Sequence, residues 1–197
     1  MNHPLGDSDA RGRVLDAAER LFAEKGYASV TLRDIAAEVG IRHTSLYHHV
    51  PGGKEELFVE VTERHLIRHR DGLARAIEGA APGVRARLHA AADWLLSQPP
   101  MDLVRMAYSD LPRIDPGQAG RLSMLAYTSL LLPIAESLRQ AQQAGEIDHH
   151  DLGMVAGGLL GMVESMYAVP DNEVKSSRQA MAHDLIDLLL RGLFPRR

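Results

Sequence analysis

Apolar residues return every three or four positions along this chain, and runs in which apolar and polar residues alternate are absent, so the pattern predicts an all-α protein. Val14, Ala17, Ala18, Leu21 and Phe22 form the first stripe, which ends at Gly26, a residue suited to the left-handed backbone that closes helices. Thr31 followed by Asp34 has the form of a capping box ahead of Leu32, Ile35, Ala36 and Val39, and this second helix stops at Gly40. A third helix of about two turns, from around Thr44 to Val50, turns Leu46 and Val50 inward and breaks at Pro51-Gly52-Gly53. The fourth runs from Lys54 towards Ala80.

Five further helical segments follow, for about nine in total: Val84 to Ser97, Asp102 to Ser109, Gly117 to Ala144, Leu152 to Ala168 and Arg178 to Leu193. Pro133 lies inside the longest and should kink or split it. The expected division is a flexible N-terminus (1–10), a small three-helix domain (11–57, with its motif at 31–50) and a helical body (58–197). The fourth helix crosses the last boundary and could carry motion.

With 45% hydrophobic residues the 197-residue chain can bury a real core. The longest apolar run, Leu122 to Ala135, is interrupted by Ser123, Thr128, Ser129 and Pro133 and falls short of the roughly 18 residues of a membrane span. The opening MNHPLGDSDA lacks the basic and apolar regions of a secretory signal, so a soluble cytoplasmic protein is expected. Absence of cysteine excludes disulfides, thiol catalysis and thiolate metal sites. A net charge of -4 does not point to nucleic acid, so any such function must rest on a local patch.

Such a patch exists. GIRHTSLYHHVPGGKEEL, Gly40 to Leu57, holds an Arg, three His and a Lys, with no acid before Glu55. Two helices joined by a short Gly-containing turn, the second short and polar outside, make a helix-turn-helix. The second helix of such a motif enters the major groove, roughly 12 Å wide, and Thr44 and Ser45 keep it slim. Arg42 and His43 at its start can reach base edges, while Tyr47, His48 and Lys54, with Thr31 and Arg33 at the start of the preceding helix, can hold phosphates. Carboxylates would repel the polyanion, which accounts for an acid-free segment in an acidic chain.

From Arg13 to Leu57 the sequence resembles the TetR/AcrR transcriptional regulators: VLDAAERLFAEKGYASVTLRDIAAEVGIRHTSLYHHVPGGKEEL, with AA..LF..KGY, T..DIA..VG and SLYHHV..GKEEL carrying the likeness over roughly a quarter of the chain. The resemblance implies a three-helix DNA-binding head, a divergent ligand-binding body, and a homodimer held by the last two helices. Members usually repress transcription and release DNA when a small molecule binds. Carried over by position, Thr31, Arg42, Thr44, Ser45, Tyr47, His48 and Lys54 fall on DNA-contacting positions. Two departures stand out. Arg42 occupies a place where Ser or Thr often caps the third helix, so the cap should pass to Thr44 and shorten it, and Val50 replaces the usual aromatic.

In the body, Trp94, Met101, Met106, Met124, Tyr127, Met162 and Met166, with Tyr167, suit an apolar effector pocket, though each singly reads as plain core. Asp93, Arg105 and Glu164 could orient a polar end of the ligand. Gly153, Gly157, Gly158 and Gly161 leave a flat helix face, either a dimer seam completed by Arg178, Leu185, Leu188 and Leu189 or a close contact within one subunit. His65 and His69 share a helix face, and a metal-dependent helical enzyme or metal sensor built on them is the alternative function; among Arg64, Arg68 and Arg70 a solvated face is expected instead. His89 with Asp93, and His149-His150-Asp151, likewise lack a third ligand. The expectation is therefore a homodimeric repressor gripping successive major grooves of a palindromic double-stranded operator about 34 to 36 Å apart, released by a small apolar or amphipathic effector, without catalysis, cofactor, bound metal or membrane. A helical sensor acting through protein partners is a further alternative.

Overall fold

The computed structural model describes residues 4–100, 102–148, 151–170 and 176–193, and every regular element among them is helical. The helices are α1 (Pro4–Ser29), α2 (Leu32–Val39), α3 (His43–His49), α4 (Gly53–Glu78), α5 (Val84–Ser97), α6 (Leu103–Arg105), α7 (Pro116–Ala126), α8 (Leu132–Gln143), α9 (Leu152–Ser165) and α10 (Arg178–Leu193). α1 begins at Pro4, ahead of the start at Arg11 read from the sequence.

Proline shapes the middle of the chain twice. The single helix expected from Gly117 to Ala144 is split into α7 and α8 by a wide turn at Tyr127–Leu131, where the Leu132 amide bonds the Tyr127 carbonyl five residues back. Pro133 has no amide to offer Ser129 and its ring would strike that carbonyl; taking one extra residue into the turn relieves the clash. The same device follows α6. A wide turn at Met106–Asp110 ends two residues before Pro112, and the chain then tightens over Leu111–Arg113.

By contact the chain forms two compact units. The first comprises Met1–His65 and Asp102–Met124, so the α6–α7 segment, placed in the body by the division at 57/58, joins the N-terminal helices. Its core is Val14, Ala18, Ile35, Leu46 and Leu57, with Phe22 meeting Phe58 edge to face at 5.3 Å. Each such aliphatic side chain, fully buried, contributes about 1.5–3 kcal/mol. The second unit comprises Leu66–Met101 and Leu125–Arg197. There α5 packs against α8, α9 and α10 around Leu88, Leu95, Leu138, Leu159 and Ile186.

Helix ends in the second unit are closed by side chains from distant sequence. The Tyr167 hydroxyl lies 2.6 Å from the Gln98 carbonyl and 3.0 Å from that of Leu95, serving the end of α5. Arg178, expected on the dimer seam, donates to the carbonyls of Met166 (3.0 Å) and Val169 (3.1 Å), beyond the end of α9. Gly72 lies directly under the indole of Trp94, where a methyl group would overlap the ring. Because α4 and the fused ring are both stiff, Gly72→Ala should destabilise the protein by about 1–3 kcal/mol, read as a lower denaturant midpoint with an unchanged slope.

Candidate nucleic-acid interface

α2 is fixed at both ends by its own sequence. The Asp34 amide donates to Thr31 Oγ1 (3.2 Å), while the Thr31 amide and hydroxyl both donate to Asp34 Oδ2 (2.7 Å each), a complete capping box. These bonds hold the Asp34 carboxyl below the usual range. They also occupy both donors of Thr31, so the residue assigned a phosphate from the sequence serves first as a cap. At the other end Gly40 is left-handed (φ 74°, ψ 30°), and its amide and that of Ile41 return to Ala37 (3.1 Å) and Ala36 (3.0 Å).

The turn is thus short, and α3 starts at His43, not Thr44. Arg42 stands at the cap position without a side-chain bond, while its carbonyl takes the amides of Ser45 (2.9 Å) and Leu46 (3.3 Å). The expected transfer of the cap to Thr44 does not occur, since the backbone closes the first turn unaided. Leu46 and Val50 are buried, so the opposite face is presented outward. Thr31, Arg33, Arg42, Thr44, Tyr47 and His48 are exposed, and His43, Ser45 and Lys54 half-buried. The His43 ring stands edge-on to Tyr47, centroids 5.2 Å apart, steadying a phenol that is 48% exposed.

Charge on this unit is arranged unevenly. Arg11, Arg20 and Arg64 pair with Glu60 (2.7 Å), Glu38 (3.0 Å) and Asp16 (2.6 Å), and Arg121 with Glu63. Among the described residues Arg33, Arg42 and His48 have no carboxylate partner. The first acids after the acid-free run are turned to backbone amides, Glu55 to that of Asp115 (2.9 Å) and Glu56 to that of Gly52. Lys54 lies 4.3 Å from the centre of the Tyr27 ring; burial, then the nearby Arg113, lowers its pKa.

Two residues that support this face were not assigned to it from the sequence. Arg105, expected in an effector pocket, donates to the carbonyls of Ala23 (2.6 Å) and Phe22 (3.1 Å) at the broken end of α1. Asp110, only 4% exposed, accepts the Tyr27 amide at 2.9 Å and faces Arg105 at 3.5 Å. Gly26 turns the chain there with φ 76° and an extended ψ of 163°, leaving only 3.1 Å between an added methyl and the Arg105 side chain. No local motif signals this arrangement, because its partners stand 82 and 83 residues apart.

The expected pocket residues are divided between the two units. Arg105, the buried Met106 and the exposed Met124 belong to the first unit; Asp93, Trp94, Tyr127, Met162 and Met166 belong to the second, and Met101 lies outside the described residues. Asp93 is exposed and bound to His183 (2.8 Å), and Tyr127 is exposed. The second unit instead has an open groove of about 390 Å³ lined by Ile77, Glu78, Pro82, Arg87, Pro133 and Gln140 among others, none of them in the expected set. Nor are His65 and His69 solvated: they are 5% and 3% exposed, with Nδ1 of His65 2.9 Å from Glu19. No three His, Asp or Glu converge as metal ligands among the described residues, and His149 and His150 lie outside them.

The glycine face of α9 is open. A methyl group at Gly157, Gly158 or Gly161 would meet nothing within 4 Å, and at Gly153 only the side chain of Asp151 at 3.7 Å, so among the described residues nothing packs closely against this face. Met154 beside them is exposed; on α10 Leu188 is 62% exposed, and Leu185 and Leu189 are half-buried.

A capped helix, a tight left-handed turn and a slim, acid-free helix backed by Leu46 and Val50 define a helix-turn-helix head. Residues 14–61 match the family of bacterial regulatory proteins, tetR family. The chain is 39% identical over 83 residues to the HTH-type transcriptional regulator LmrA of Bacillus subtilis, covering 41% of this chain and 44% of LmrA. It is 40% identical over 85 residues to the HTH-type transcriptional repressor KstR2 of Rhodococcus jostii, covering 43% and 41%. The chain thus spans less than half the length of these curated relatives. Its fold is similar to that of AibR, solved in complex with isovaleryl coenzyme A and operator DNA, with a TM-score of 0.73 at 19% identity over 95% of this chain and 100% of that one. The likeness to the tetR family of bacterial regulatory proteins thus lies in the N-terminal head, residues 14–61.

The capping box gives a measurable prediction. Thr31→Ala should cost about 1 kcal/mol of stability at neutral pH. Since the Asp34 carboxyl is held low in the folded state, its bond to Thr31 stabilises above the unfolded carboxyl pKa of about 3.9 and is lost as the pH falls through the folded value. Denaturation in acid should therefore narrow the gap between wild type and variant.

Proposed function

We propose that this chain is a DNA-binding transcriptional regulator that works as a homodimer and answers to a small molecule. The observation that carries this reading is the outward face of α3 and the start of α2, where Arg33, Arg42 and His48 stand without carboxylate partners while Arg11, Arg20, Arg64 and Arg121 are neutralised. An unpaired cation beside Thr44, Ser45 and Tyr47 on a slim helix has the chemistry to meet phosphates and base edges. Arg42 and His43, first on α3, are the residues suited to bases; Arg33, Tyr47, His48 and Lys54 suit phosphates, with Thr31 contributing through the helix it caps.

The chemistry is binding rather than catalysis, and its place is the cytoplasm; no helix among the described residues is long and apolar enough to cross a membrane. Residues 11–57 act as the DNA-binding head, and 58–197 supply effector binding and pairing. KstR2 is named a repressor, and AibR was captured with an acyl coenzyme A and operator DNA, so repression relieved by an apolar or amphipathic effector is the reading carried over to this chain. A coupling of about 1–3 kcal/mol between effector and DNA suffices for a 5- to 150-fold loss of DNA affinity. The open glycine face of α9, with Leu188 of α10, is the surface on which a second copy pairs. With His65 and His69 buried in the protein, the metal-based alternative has nothing further to recommend it.

Binding to duplexes from the chain's own upstream region, at two salt concentrations, tests the reading. Arg42→Ala should cost about 1–3 kcal/mol of discrimination between operator and mismatched sites, whereas Tyr47→Ala should weaken both alike. A wild-type protein that ignores every duplex at low salt would overturn the proposal. For pairing, Gly161→Leu adds a side chain where the subunit has open space. It should leave the helical signal intact, shift the protein from dimer to monomer in sedimentation, and weaken operator binding.

A further inference from the structure

In the second unit α5 and α10 are joined by two imidazoles lying flat on one another. The rings of His89 and His183 are 4.0 Å apart between centroids and inclined by only 7°. Each holds a carboxylate on the facing helix: Nε2 of His89 is 3.0 Å from Asp187, and Nε2 of His183 is 2.8 Å from Asp93. Arg85 grips the same Asp187 through two nitrogens, one of them at 2.7 Å. Spacing along the chain paired His89 with Asp93; the fold exchanges the partners, so that both bonds run between helices.

The carboxylates fix the tautomers. In each ring the Nε2–H donates to its aspartate, which leaves Nδ1 to take up a further proton. The planes are nearly parallel, so the two Nδ1 lone pairs do not converge on one ion, and the pair is not a metal clamp. It is a titrating contact. Two neutral rings stack at no electrostatic cost, and whichever ring takes the first proton opposes the second.

We infer that the stacked His89–His183 pair is an acid-sensitive latch that fastens α10 to α5, and that protonation of the pair loosens α10. The charged groups that bear on His89 are His183, Asp187 and Arg85. Of the other helices against α5, α8 brings Ile134, Gln140 bonded to Arg87, and Glu136 in the groove beside Arg87, and α9 brings Leu159 and Val163; none of these is among the groups that bear on His89. Burial first, then His183, holds the His89 pKa below the usual imidazole range, the attraction of Asp187 notwithstanding. The folded chain therefore prefers His89 neutral. Its contribution is present above the unfolded imidazole pKa of about 6.5 and is lost as the pH falls from there towards the folded value.

α10 also carries Leu188, so loosening it would weaken subunit pairing and the grip on DNA; that consequence rests on the pairing proposed above. The latch itself is tested without DNA or dimer. Proton NMR of the full chain, following the imidazole C2–H signals, should show His89 titrating below the ordinary imidazole range. In His183→Gln, His89 should titrate at higher pH than in the wild type. The melting temperature of the wild type should fall between about pH 7.5 and 5.5, and His89→Gln, which keeps a donor for Asp187 but cannot titrate, should lose clearly less. A His89 signal that titrates in the ordinary imidazole range and is unmoved by His183→Gln overturns the inference. Equal loss of melting temperature in wild type and His89→Gln does the same.

Discussion

The end of α1 is where the first unit is made or lost. Gly26 turns the chain out of the helix and leaves the carbonyls of Phe22 and Ala23 and the amide of Tyr27 to find partners. Arg105 takes the two carbonyls and Asp110 the amide, with the two side chains close enough to compensate each other's burial. An unsatisfied buried backbone group costs about 1–3 kcal/mol, so three of them would consume much of a small domain's stability. The clamp also decides where Tyr27 goes. Its ring packs on Phe22 and Phe58 and lies beneath the Lys54 ammonium, at the start of α4, the helix that follows α3.

That arrangement explains how an acidic protein keeps a cationic face. The acid-free run from Gly40 is only half of the answer, because Glu55 and Glu56 follow it at once. Both are drawn to backbone amides, of Asp115 and Gly52, and Glu60 and Glu63 are matched by Arg11 and Arg121. Arg33, Arg42 and His48 are among the groups left without a carboxylate partner in the described residues. Sequence supplied the local absence of acid; folding supplied the neutralisation of the acids next to it.

What could be read from the chain in advance is what depends on near neighbours. Gly40 and the Thr31–Asp34 box end and begin α2 as their chemistry requires, and α5 and α10 begin and end at the residues their stripes predicted. Pro133 announced a break but not its form, which depends on an extra residue in the turn ahead, and the equivalent effect of Pro112 passed unnoticed. The groups whose surroundings the sequence does not show are those whose partners are remote. Nothing near Arg105 in the sequence points to the Ala23 carbonyl 82 residues away, and the burial of His65 and His69 depends on Glu19 and Trp94, which cannot be seen from α4. Each set of ionic partners across helices, Asp187 with His89 and Asp93 with His183, escaped for the same reason.

The glycines sharpen the point about where energy is balanced. Gly26 and Gly40 occupy backbone with positive φ that other residues reach only with strain, so their presence is explained inside the subunit. Gly157, Gly158 and Gly161 have ordinary helical backbone and nothing against them, and each weakens the helix by about 1 kcal/mol relative to alanine. No contact within the described fold offsets that cost. In the pairing proposed above a helix of the second copy would supply that compensation, since a face flattened over a full turn, with the exposed Met154 beside it, lets another helix approach closely.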